Sequence, residues 1–275
     1  MRLSGKMDYD FKMPLRPENS HKGTFGKVLN VSGSKYMTGA ACLSTLAALK
    51  TGCGYGILCS DDEVIEAVAA KSSDIVFCPR NKWKKYLSAS DVLLFGCGLS
   101  TDNDAKYLFY KIFKTDIVIP TVIDADGLNL LSEYTPKDLP SQLILTPHPK
   151  EASRLLNISS SDVIANMEDS AKEISKKYNC VTVLKSHNTI VCSKDFEIYV
   201  NNTGNSALAK AGSGDVLSGI IAGLLAQGCA PYYAAKLGVY LHGLAGDLAK
   251  NDLTAYGVLA SDLVRFIPYA IKTLL

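Results

Sequence analysis

Residues 27–60, KVLNVSGSKYMTGAACLSTLAALKTGCGYGILCS, determine the fold class of this chain. The apolar run at 27–32 predicts a short buried strand that ends in a Ser/Gly loop, and the small residues at 39–50 predict a helix. The sequence TGCG at 51–54 ends that helix, and 55–60 is a second apolar strand. Two continuous apolar strands joined through a helix are typical of a parallel sheet that is covered on both faces.

The same alternation of strands and helices continues along the chain. Further strands are predicted at 91–95, 117–123, 143–146, 181–185 and 189–193, the last in a hairpin with 197–201. Helices are predicted to begin at Asp61 and to cover 102–114, 161–178, 214–227, 231–250 and 258–272. No Pro/Ser-rich linker or internal repeat divides the sequence. We therefore predict an α/β fold of three layers, α/β/α, around a central, mostly parallel sheet. We expect a single domain over 1–275, with 1–20 as an N-terminal extension.

The bulk composition argues against several classes of function. The 275 residues are 47% hydrophobic and 20% charged, and 29 basic against 27 acidic residues give a net charge of +2. That balance predicts no nucleic-acid or membrane partner. The N-terminal residues lack the apolar segment of a signal peptide, and polar or charged residues interrupt the longest apolar runs. Neither secretion nor a membrane span is therefore predicted.

The eight cysteines form no C-x-x-C pair and have no histidine at zinc-finger spacing. Most lie within apolar runs, so we predict reduced, buried thiols in a cytoplasmic protein. Cys97 lies between two glycines in a predicted loop, and a reactive thiol there is the alternative.

Polar and glycine-rich loops follow the predicted strands. They lie at 32–34, 96–98, 124–126, 146–149, 185–188 and 201–215. In an open α/β sheet, ligands bind at the edge where the strands have their carboxyl ends. One such loop is ordinary, because every strand-to-helix loop contains polar residues, but six of them at one edge predict a binding crevice.

The segment Gly212-Ser213-Gly214-Asp215 precedes an apolar helix. Glycines let the backbone approach a ligand closely, and the free N–H groups at a helix start bind anions such as phosphate. A carboxylate beside a phosphate is unfavourable unless it acts, and its natural action is to take the proton of a hydroxyl that attacks phosphorus. From the motif alone, a helix N-cap role for Asp215 is an equal alternative.

Other nucleotide and metal motifs are missing from the sequence. There is no G-x-x-x-x-G-K-[ST] and no G-x-G-x-x-G after a strand, so neither a P-loop nor a dinucleotide-type Rossmann site is predicted. There is no H-E-x-x-H and no clustered His/Cys set, and we predict no metal site formed by protein ligands.

The ordered set of motifs resembles the ribokinase-like superfamily and, within it, the ADP-dependent (S)-NAD(P)H-hydrate dehydratase family. The resemblance extends over roughly residues 20–270 in the family's order. Its motifs are HKGTFGK at 21–27, GS at 33–34, MTGA at 37–40, GCGL at 96–99, VIDADGLN at 122–129, LTPHP at 145–149, VLK at 183–185, NTGN at 202–205 and AKAGSGD at 209–215. The resemblance implies a ribokinase-like fold and an enzyme that repairs hydrated NADH or NADPH.

The reaction of that family explains why Asp215 stands where a phosphate would bind. The resemblance implies that ADP, or ATP, phosphorylates the C6 hydroxyl of the hydrated nicotinamide ring, after which phosphate leaves; from ADP the other product is AMP. Asp215 corresponds to the base, and Gly212, Ser213 and Gly214 to an anion hole of N–H groups, each worth about 3 kcal/mol. Mg²⁺ is implied as the counter-ion of the nucleotide.

The resemblance also implies which residues contact the two ligands. The nucleotide-binding positions are Lys185, Ser186, His187, Asn188, Thr189 and Gly214. The substrate-binding positions are Ala40, Gly98, His148 and Asp215, with Asn205 and Asp124 added from their place in the crevice.

Two of these positions keep a structural alternative. His148 could serve only to start a helix between two prolines, and Lys185 could be a surface lysine at a strand end. The sequence also departs from the family, which usually has glycine where Ser186 stands and proline where Cys97 stands. These departures bear on nucleotide preference more than on the type of reaction.

Two other functions compete with the dehydratase. A kinase for a vitamin precursor such as hydroxyethylthiazole would use the same Gly-x-Gly-Asp segment, and a non-catalytic nucleotide-binding sensor would have no use for Asp215. The segments 146–149 and 21–23 favour the dehydratase. The resemblance further implies a homotetramer and, because only a short segment precedes the fold, an epimerase that is a separate protein.

Overall fold

The computed structural model describes residues 10–275, and its strands form one sheet. They are β1 (Lys27–Val31), β2 (Tyr55–Ser60), β3 (Val76–Pro79), β4 (Val92–Phe95), β5 (Thr121–Ile123), β6 (Leu143–Leu145), β7 (Val181–Leu184), β8 (Ile190–Cys192) and β9 (Ile198–Val200). Their order is β3-β2-β1-β4-β5-β6-β7-β8-β9. All pairs from β3 to β7 are parallel, whereas β7–β8 and β8–β9 are antiparallel.

Helices cover both faces of the sheet. They are α1 (Thr38–Thr51), α2 (Asp62–Ala69), α3 (Trp83–Leu87), α4 (Asn103–Phe113), α5 (Asp126–Glu133), α6 (Pro149–Leu156), α7 (Ser160–Ala165), α8 (Met167–Tyr178), α9 (Ser213–Ala226), α10 (Pro231–Gly257) and α11 (Ala260–Lys272). Alternate residues of a strand point to opposite faces, so Val92 and Leu94 of β4 pack with α9 and α10, and Leu93 and Phe95 pack with α4 and α5. The predicted three layers and the mostly parallel sheet are confirmed.

Several predicted boundaries are wrong. The helix predicted at 161–178 is two helices, α7 and α8, because Asn166 between them leaves helical geometry (φ −134°, ψ 55°). The strand predicted at 117–123 has only its last three residues in β5, since 117–120 form no ladder. The prediction omitted β3, α3, α5 and α6.

The segment at 10–20, part of the predicted extension, packs on the sheet and α10; residues 1–9 lie outside the described part. Phe11 is buried, with its ring centroid 5.9 Å from that of Tyr199 and 5.1 Å from that of Tyr240. Arg16 donates a hydrogen bond to the Gly52 carbonyl at 2.7 Å. These contacts fix the described part of the extension against the body of the fold.

All eight thiols are free, and the predicted burial is confirmed for seven of them, whereas Cys229 is half-buried. Burial, with the charges of Asp215 and Asp124, raises the pKa of the Cys97 thiol, which argues against a reactive thiolate there. Within residues 10–275, no helix has the length and the apolar surface to cross a bilayer.

Candidate active site

Buried charges meet at the carboxyl edge of the sheet. Lys185, after β7, places its Nζ 2.7 Å from Oδ1 of Asp124, which follows β5. Ser218 of α9 donates its hydroxyl to the other oxygen of Asp124 at 2.6 Å. The Asp124 side chain is only 1% exposed. The alternative that Lys185 is a surface lysine is therefore wrong.

Glu151 of α6 is a second buried partner of this ammonium group. Its Oε2 lies 3.9 Å from Nζ of Lys185, and the side chain is 6% exposed. Burial raises the pKa of Glu151 to about 7, although Lys185 opposes the rise. Burial disfavours the Lys185 ammonium group, but Asp124 and Glu151 outweigh this and raise its pKa.

Asp215 completes what we call the charge cluster: Asp124, Glu151, Lys185 and Asp215. Ligand atoms of Asp215, Asp124 and Cys97 all lie within 4.8 Å of one another. Burial and the nearby Asp124 charge raise the pKa of Asp215 to about 6, against the opposing effects of Lys185 and Cys97. The carboxylate is therefore ionised at neutral pH, yet basic enough to accept a proton.

The start of α9 places this carboxylate in the first helical turn. Gly212 is the N-cap with φ of 91°, a left-handed conformation that favours glycine, so the N-cap alternative for Asp215 is wrong. Ser213 and Gly214 follow as the first two helical residues. The Ser213 N–H donates a long hydrogen bond of 3.3 Å to the Lys210 carbonyl.

The space beside Gly214 is occupied by the Lys185 ammonium group. A Cβ at Gly214 would lie 3.3 Å from Nζ of Lys185, so any side chain there would crowd the cluster. The Ser213 hydroxyl lies 3.1 Å from Nε2 of His242 on α10. Burial lowers the pKa of His242 to about 4, so this imidazole is neutral and orients the hydroxyl without adding charge.

The loop that carries Cys97 lies against the start of α1. A Cβ at Gly98 (φ 60°) would be 2.8 Å from the Cβ atoms of Ala40 and Met37, so only glycine allows this approach. The Gly33 N–H also donates to the Cys97 carbonyl at 2.9 Å. Cys97 is the neighbour of Gly98 in sequence, and its thiol lies within 4.8 Å of the Asp215 carboxylate. The predicted substrate residues Ala40 and Gly98 therefore lie next to a residue that adjoins Asp215.

A cavity of about 490 Å³ lies on the other side of α9's first turn. Its lining includes the predicted site residues Lys185, Ser186, His187, Thr189, His148, Asn205, Ser213 and Gly214. A volume of this size is typical of a small-ligand site. Asn188 instead lines an outer groove beside α8.

His148 both caps a helix and lines this cavity. Its Nδ1 accepts from the N–H groups of Lys150 at 3.1 Å and Glu151 at 3.4 Å, and its own N–H donates to Glu151 at 2.8 Å. His148 therefore does start a helix, as its structural alternative predicted. The side chain is 47% exposed, so a ligand in the cavity can still reach it.

The predicted site residues fall into two groups around Asp215. Ala40 and Gly98 lie on the β1 and β4 side, whereas Lys185, the following loop, His148 and Asn205 lie on the cavity side. Asn205, predicted as a substrate residue, donates to Asp247 at 2.9 Å and lies on the cavity side with the nucleotide positions.

Sequence reasoning missed three polar residues that support the site: Glu151, Ser218 and His242. Glu151 stands three residues after His148, a spacing that predicts a helix-start capping box. Ser218 and His242 lie within apolar helices, and no local pattern marks them.

Comparisons with known proteins identify the family of the chain. Residues 28–269 match the sequence profile described as NAD(P)H-hydrate dehydratase. The chain is 40% identical over 268 residues to the ADP-dependent (S)-NAD(P)H-hydrate dehydratase of Neisseria meningitidis, covering 90% of this chain and 86% of that one. It is 37% identical over 279 residues to the bifunctional NAD(P)H-hydrate repair enzyme of Moorella thermoacetica. That match covers 96% of this chain and 52% of the relative, so the chain spans about half the length of the bifunctional relatives.

Solved structures give the same result. The ADP/ATP-dependent NAD(P)H-hydrate dehydratase from Bacillus subtilis, co-crystallised with ATP and Mg²⁺, superposes with a TM-score of 0.87 at 30% identity. The match covers 96% of this chain and 95% of that one. A ribokinase-like superfamily protein from Enterococcus faecalis superposes with a TM-score of 0.85 at 28% identity, covering 95% and 92%. The predicted ribokinase-like fold is confirmed.

Proposed function

The chain belongs to the NAD(P)H-hydrate dehydratase family, and on that premise we propose that it dehydrates hydrated NADH or NADPH at the expense of ADP. The phosphoryl group passes from ADP to the C6 hydroxyl of the hydrated ring, which gives AMP and a phosphate ester. The ester oxygen then leaves with the phosphate, a proton is lost from C5, and the ring double bond is restored. Phosphorylation is needed because hydroxide is a poor leaving group and phosphate is a good one.

The single observation that carries this proposal is the half-buried carboxylate of Asp215 in the first turn of α9, within 4.8 Å of the Asp124 carboxylate that Lys185 holds. Its pKa of about 6 suits a base that accepts the hydroxyl proton near neutral pH. The positive end of the α9 dipole and the N–H groups of Gly212, Ser213 and Gly214 favour the phosphoryl group in transit, although the Ser213 N–H must exchange its 3.3 Å bond to the Lys210 carbonyl for it. The Lys185 ammonium group, next to Gly214, adds a positive charge at the same place.

We assign the nucleotide to the cavity side of Asp215 and the hydrated ring to the side of Ala40 and Gly98. The loop 185–189 lines the cavity except for Asn188, so it is available to the adenosine of ADP or ATP. His148 and Asn205 then lie at the boundary between the two ligands. This arrangement leaves the phosphoryl group between donor and acceptor, with Asp215 beside the attacking hydroxyl whose proton it takes.

Mg²⁺ fits this site as a partner of the nucleotide. Both oxygens of Asp124 already have protein partners, Lys185 and Ser218. The donor group of Cys97, Asp124 and Asp215 includes a thiol, which is a poor ligand for this hard cation. Mg²⁺ would therefore be held mainly by phosphate oxygens and water, where it neutralises phosphate charge.

The alternatives are a vitamin-precursor kinase and a non-catalytic nucleotide sensor. Membership of the dehydratase family favours the main proposal over both. A kinase would release a stable phosphorylated product, and a sensor would bind ADP without any turnover. Only a dehydratase would therefore accumulate NADH or NADPH.

The test is the near-ultraviolet absorbance of reduced nicotinamide, followed with purified protein, hydrated NADH, Mg²⁺ and either ADP or ATP. We expect a rise that requires nucleotide and that falls about a thousandfold in rate in Asp215→Asn. Asp195→Asn, on the exposed β8–β9 turn, is the matched control and should keep the wild-type rate. A flat trace with both nucleotides from folded wild-type protein would refute the proposal.

The remaining predictions concern the setting of the enzyme. We propose a single domain over 1–275 from the lack of a linker and a cytoplasmic location from the free thiols. A homotetramer and an epimerase as functional partner are proposed on the family resemblance. Light scattering of the purified protein tests the tetramer directly.

A further inference from the structure

A second groove lies on the same edge of the sheet, beyond β1 as seen from the charge cluster. It has a volume of about 400 Å³ and is formed by the start of α2, the residues after β3 and one side of α4. We call it the β3 groove, and the lining residues that matter are Asp61, Asp62, Arg80, Trp83, Asp104 and Tyr107. We propose that the β3 groove binds the adenosine half of the dinucleotide substrate, an inference that rests on the proposed function.

The β3 groove is connected to the reaction site through Gly33. Arg80 donates to the Gly33 carbonyl at 3.2 Å, and the Gly33 N–H donates to the Cys97 carbonyl at 2.9 Å. Cys97 in turn lies beside Asp215. Arg80 follows β3 and Cys97 follows β4. These two strands are three positions apart in the sheet, so their ends are separated by about 14 Å. A dinucleotide, which joins its bases through two riboses and a pyrophosphate, can span such a gap.

The start of α1 lies between the groove and the reaction site. Met37 is its N-cap and makes no side-chain capping bond, so the first N–H groups of the helix have no partner from a cap. A Cβ at Gly39 would have nothing within 4 Å, which shows free space at this first turn. Ala40, on the same turn, packs against Gly98. An uncapped helix start with open space in front of it suits the pyrophosphate that joins the two halves.

Two aromatic side chains in the groove suit a purine base. Tyr107 of α4 lines the groove and is 62% exposed, so its ring is accessible to a ligand. Trp83, at the start of α3, is half-buried and lines the same space. Purine bases stack on such rings without requiring a particular pattern of hydrogen bonds.

Carboxylates in the groove suit ribose hydroxyls. Asp61 directly follows β2, and a carboxylate oxygen at this edge of the groove can accept a hydrogen bond from a ribose hydroxyl. Arg80 fixes Asp61 through an ion pair of 2.9 Å. Of the charged lining groups, Asp61, Asp62 and Asp104 outnumber Arg80, so the 2′-phosphate of NADPH would meet excess negative charge. We therefore expect hydrated NADH to be preferred to hydrated NADPH.

The first experiment compares hydrated NADH with hydrated reduced nicotinamide mononucleotide, which keeps the reacting ring but lacks the adenosine half. In Tyr107→Ala, the advantage of the full dinucleotide in kcat/KM should fall about tenfold, as expected for one lost base–aromatic stack. Tyr110→Ala, on the same helix but outside the groove, should keep the wild-type ratio. A wild-type ratio in Tyr107→Ala would overturn the proposal.

The second experiment uses Trp83, the only tryptophan of the chain, as a reporter inside the groove. ADP-ribose should change its fluorescence saturably, and Tyr107→Ala should weaken the apparent affinity. Nicotinamide mononucleotide should leave the signal unchanged. No response to ADP-ribose in folded wild-type protein would overturn the assignment.

The two experiments separate the failure of this inference from the failure of the proposed function. Wild-type protein that turns over neither hydrated substrate refutes the dehydratase, while the ADP-ribose titration still reports on the groove. Wild-type protein that turns over both with equal kcat/KM keeps the dehydratase and refutes the adenosine site.

Discussion

The charge cluster and the loop 186–188 both adjoin the site, but they are held in opposite ways. In the cluster, Asp124 is 1% exposed and both of its oxygens have protein partners. The loop is exposed at all three residues, and its side-chain hydrogen bonds, such as that from Ser186 Oγ to the Asn188 carbonyl at 2.9 Å, are local. Chemistry that depends on fixed charges therefore rests on long-range contacts, whereas contact with the nucleotide base is left to an adaptable segment.

The largest expected effect comes from removing the only cation of the cluster. Lys185→Met leaves Asp124 and Glu151 buried without their ammonium partner, which typically costs about 3–5 kcal/mol. Urea unfolding at pH 8 measures this loss. Lys84→Met, an exposed lysine on α3, is the control and should change stability by less than about 0.5 kcal/mol. Equal stability of the two variants would contradict the view that the cluster is tightly coupled.

The next prediction is that the ionised carboxylate of Asp215, the proposed base, lowers the free energy of unfolding. The raised pKa of Asp215 means that the folded state holds its proton more tightly than the unfolded state does. Stability is therefore lost as pH rises from about 4 to 6, and the loss is complete above that window. Asp215→Asn should be more stable than wild type by up to about 3 kcal/mol at pH 8.

The control for this prediction is pH itself. Below pH about 3, Asp215 is protonated in both states, so the advantage of Asp215→Asn should vanish. Unfolding curves of both proteins at a series of pH values give the difference directly. A variant that is less stable than wild type at pH 8 would show that the carboxylate stabilises the fold, contrary to the effect of its burial.

The sequence predicted the fold well because most strands are buried on both faces. Continuous apolar runs such as β2 and β4 are visible without knowledge of their neighbours. The edge strand β3 was missed because its burial is partial and irregular. Helices α5 and α6 were missed because they begin within the polar loops that were interpreted as binding segments.

The sequence marked candidate site residues one segment at a time, but not the long-range contacts that hold them together. Gly212 to Asp215 form one contiguous segment, and the structure places them together at the start of α9. The bond between Asp124 and Ser218 joins residues 94 positions apart, and no periodicity encodes such a pair. The same holds for His242, whose role depends on α10 packing beside the start of α9.

A smaller effect should appear in the pH dependence of activity. Because the base must be deprotonated, kcat/KM should fall as pH drops below about 6, approaching tenfold per pH unit. Cys97 lowers the pKa of Asp215, so Cys97→Ala should move this acid limb to higher pH by less than about one unit. A limb that moves to lower pH in Cys97→Ala would show that the thiol does not stabilise the carboxylate.

The smallest effect is expected in the exposed loop, which tests the other half of the comparison. Ser186→Gly removes the local bond from the hydroxyl to the Asn188 carbonyl, which is worth about 0.5–1 kcal/mol at most because water can replace it. The KM for ADP should change by no more than about threefold, which corresponds to less than 1 kcal/mol. Steady-state kinetics with ADP and with ATP measure this directly. A loss of kcat as large as that of Lys185→Met would mean that the loop, like the charge cluster, fixes groups that take part in phosphoryl transfer, and the contrast between the two regions would then fail.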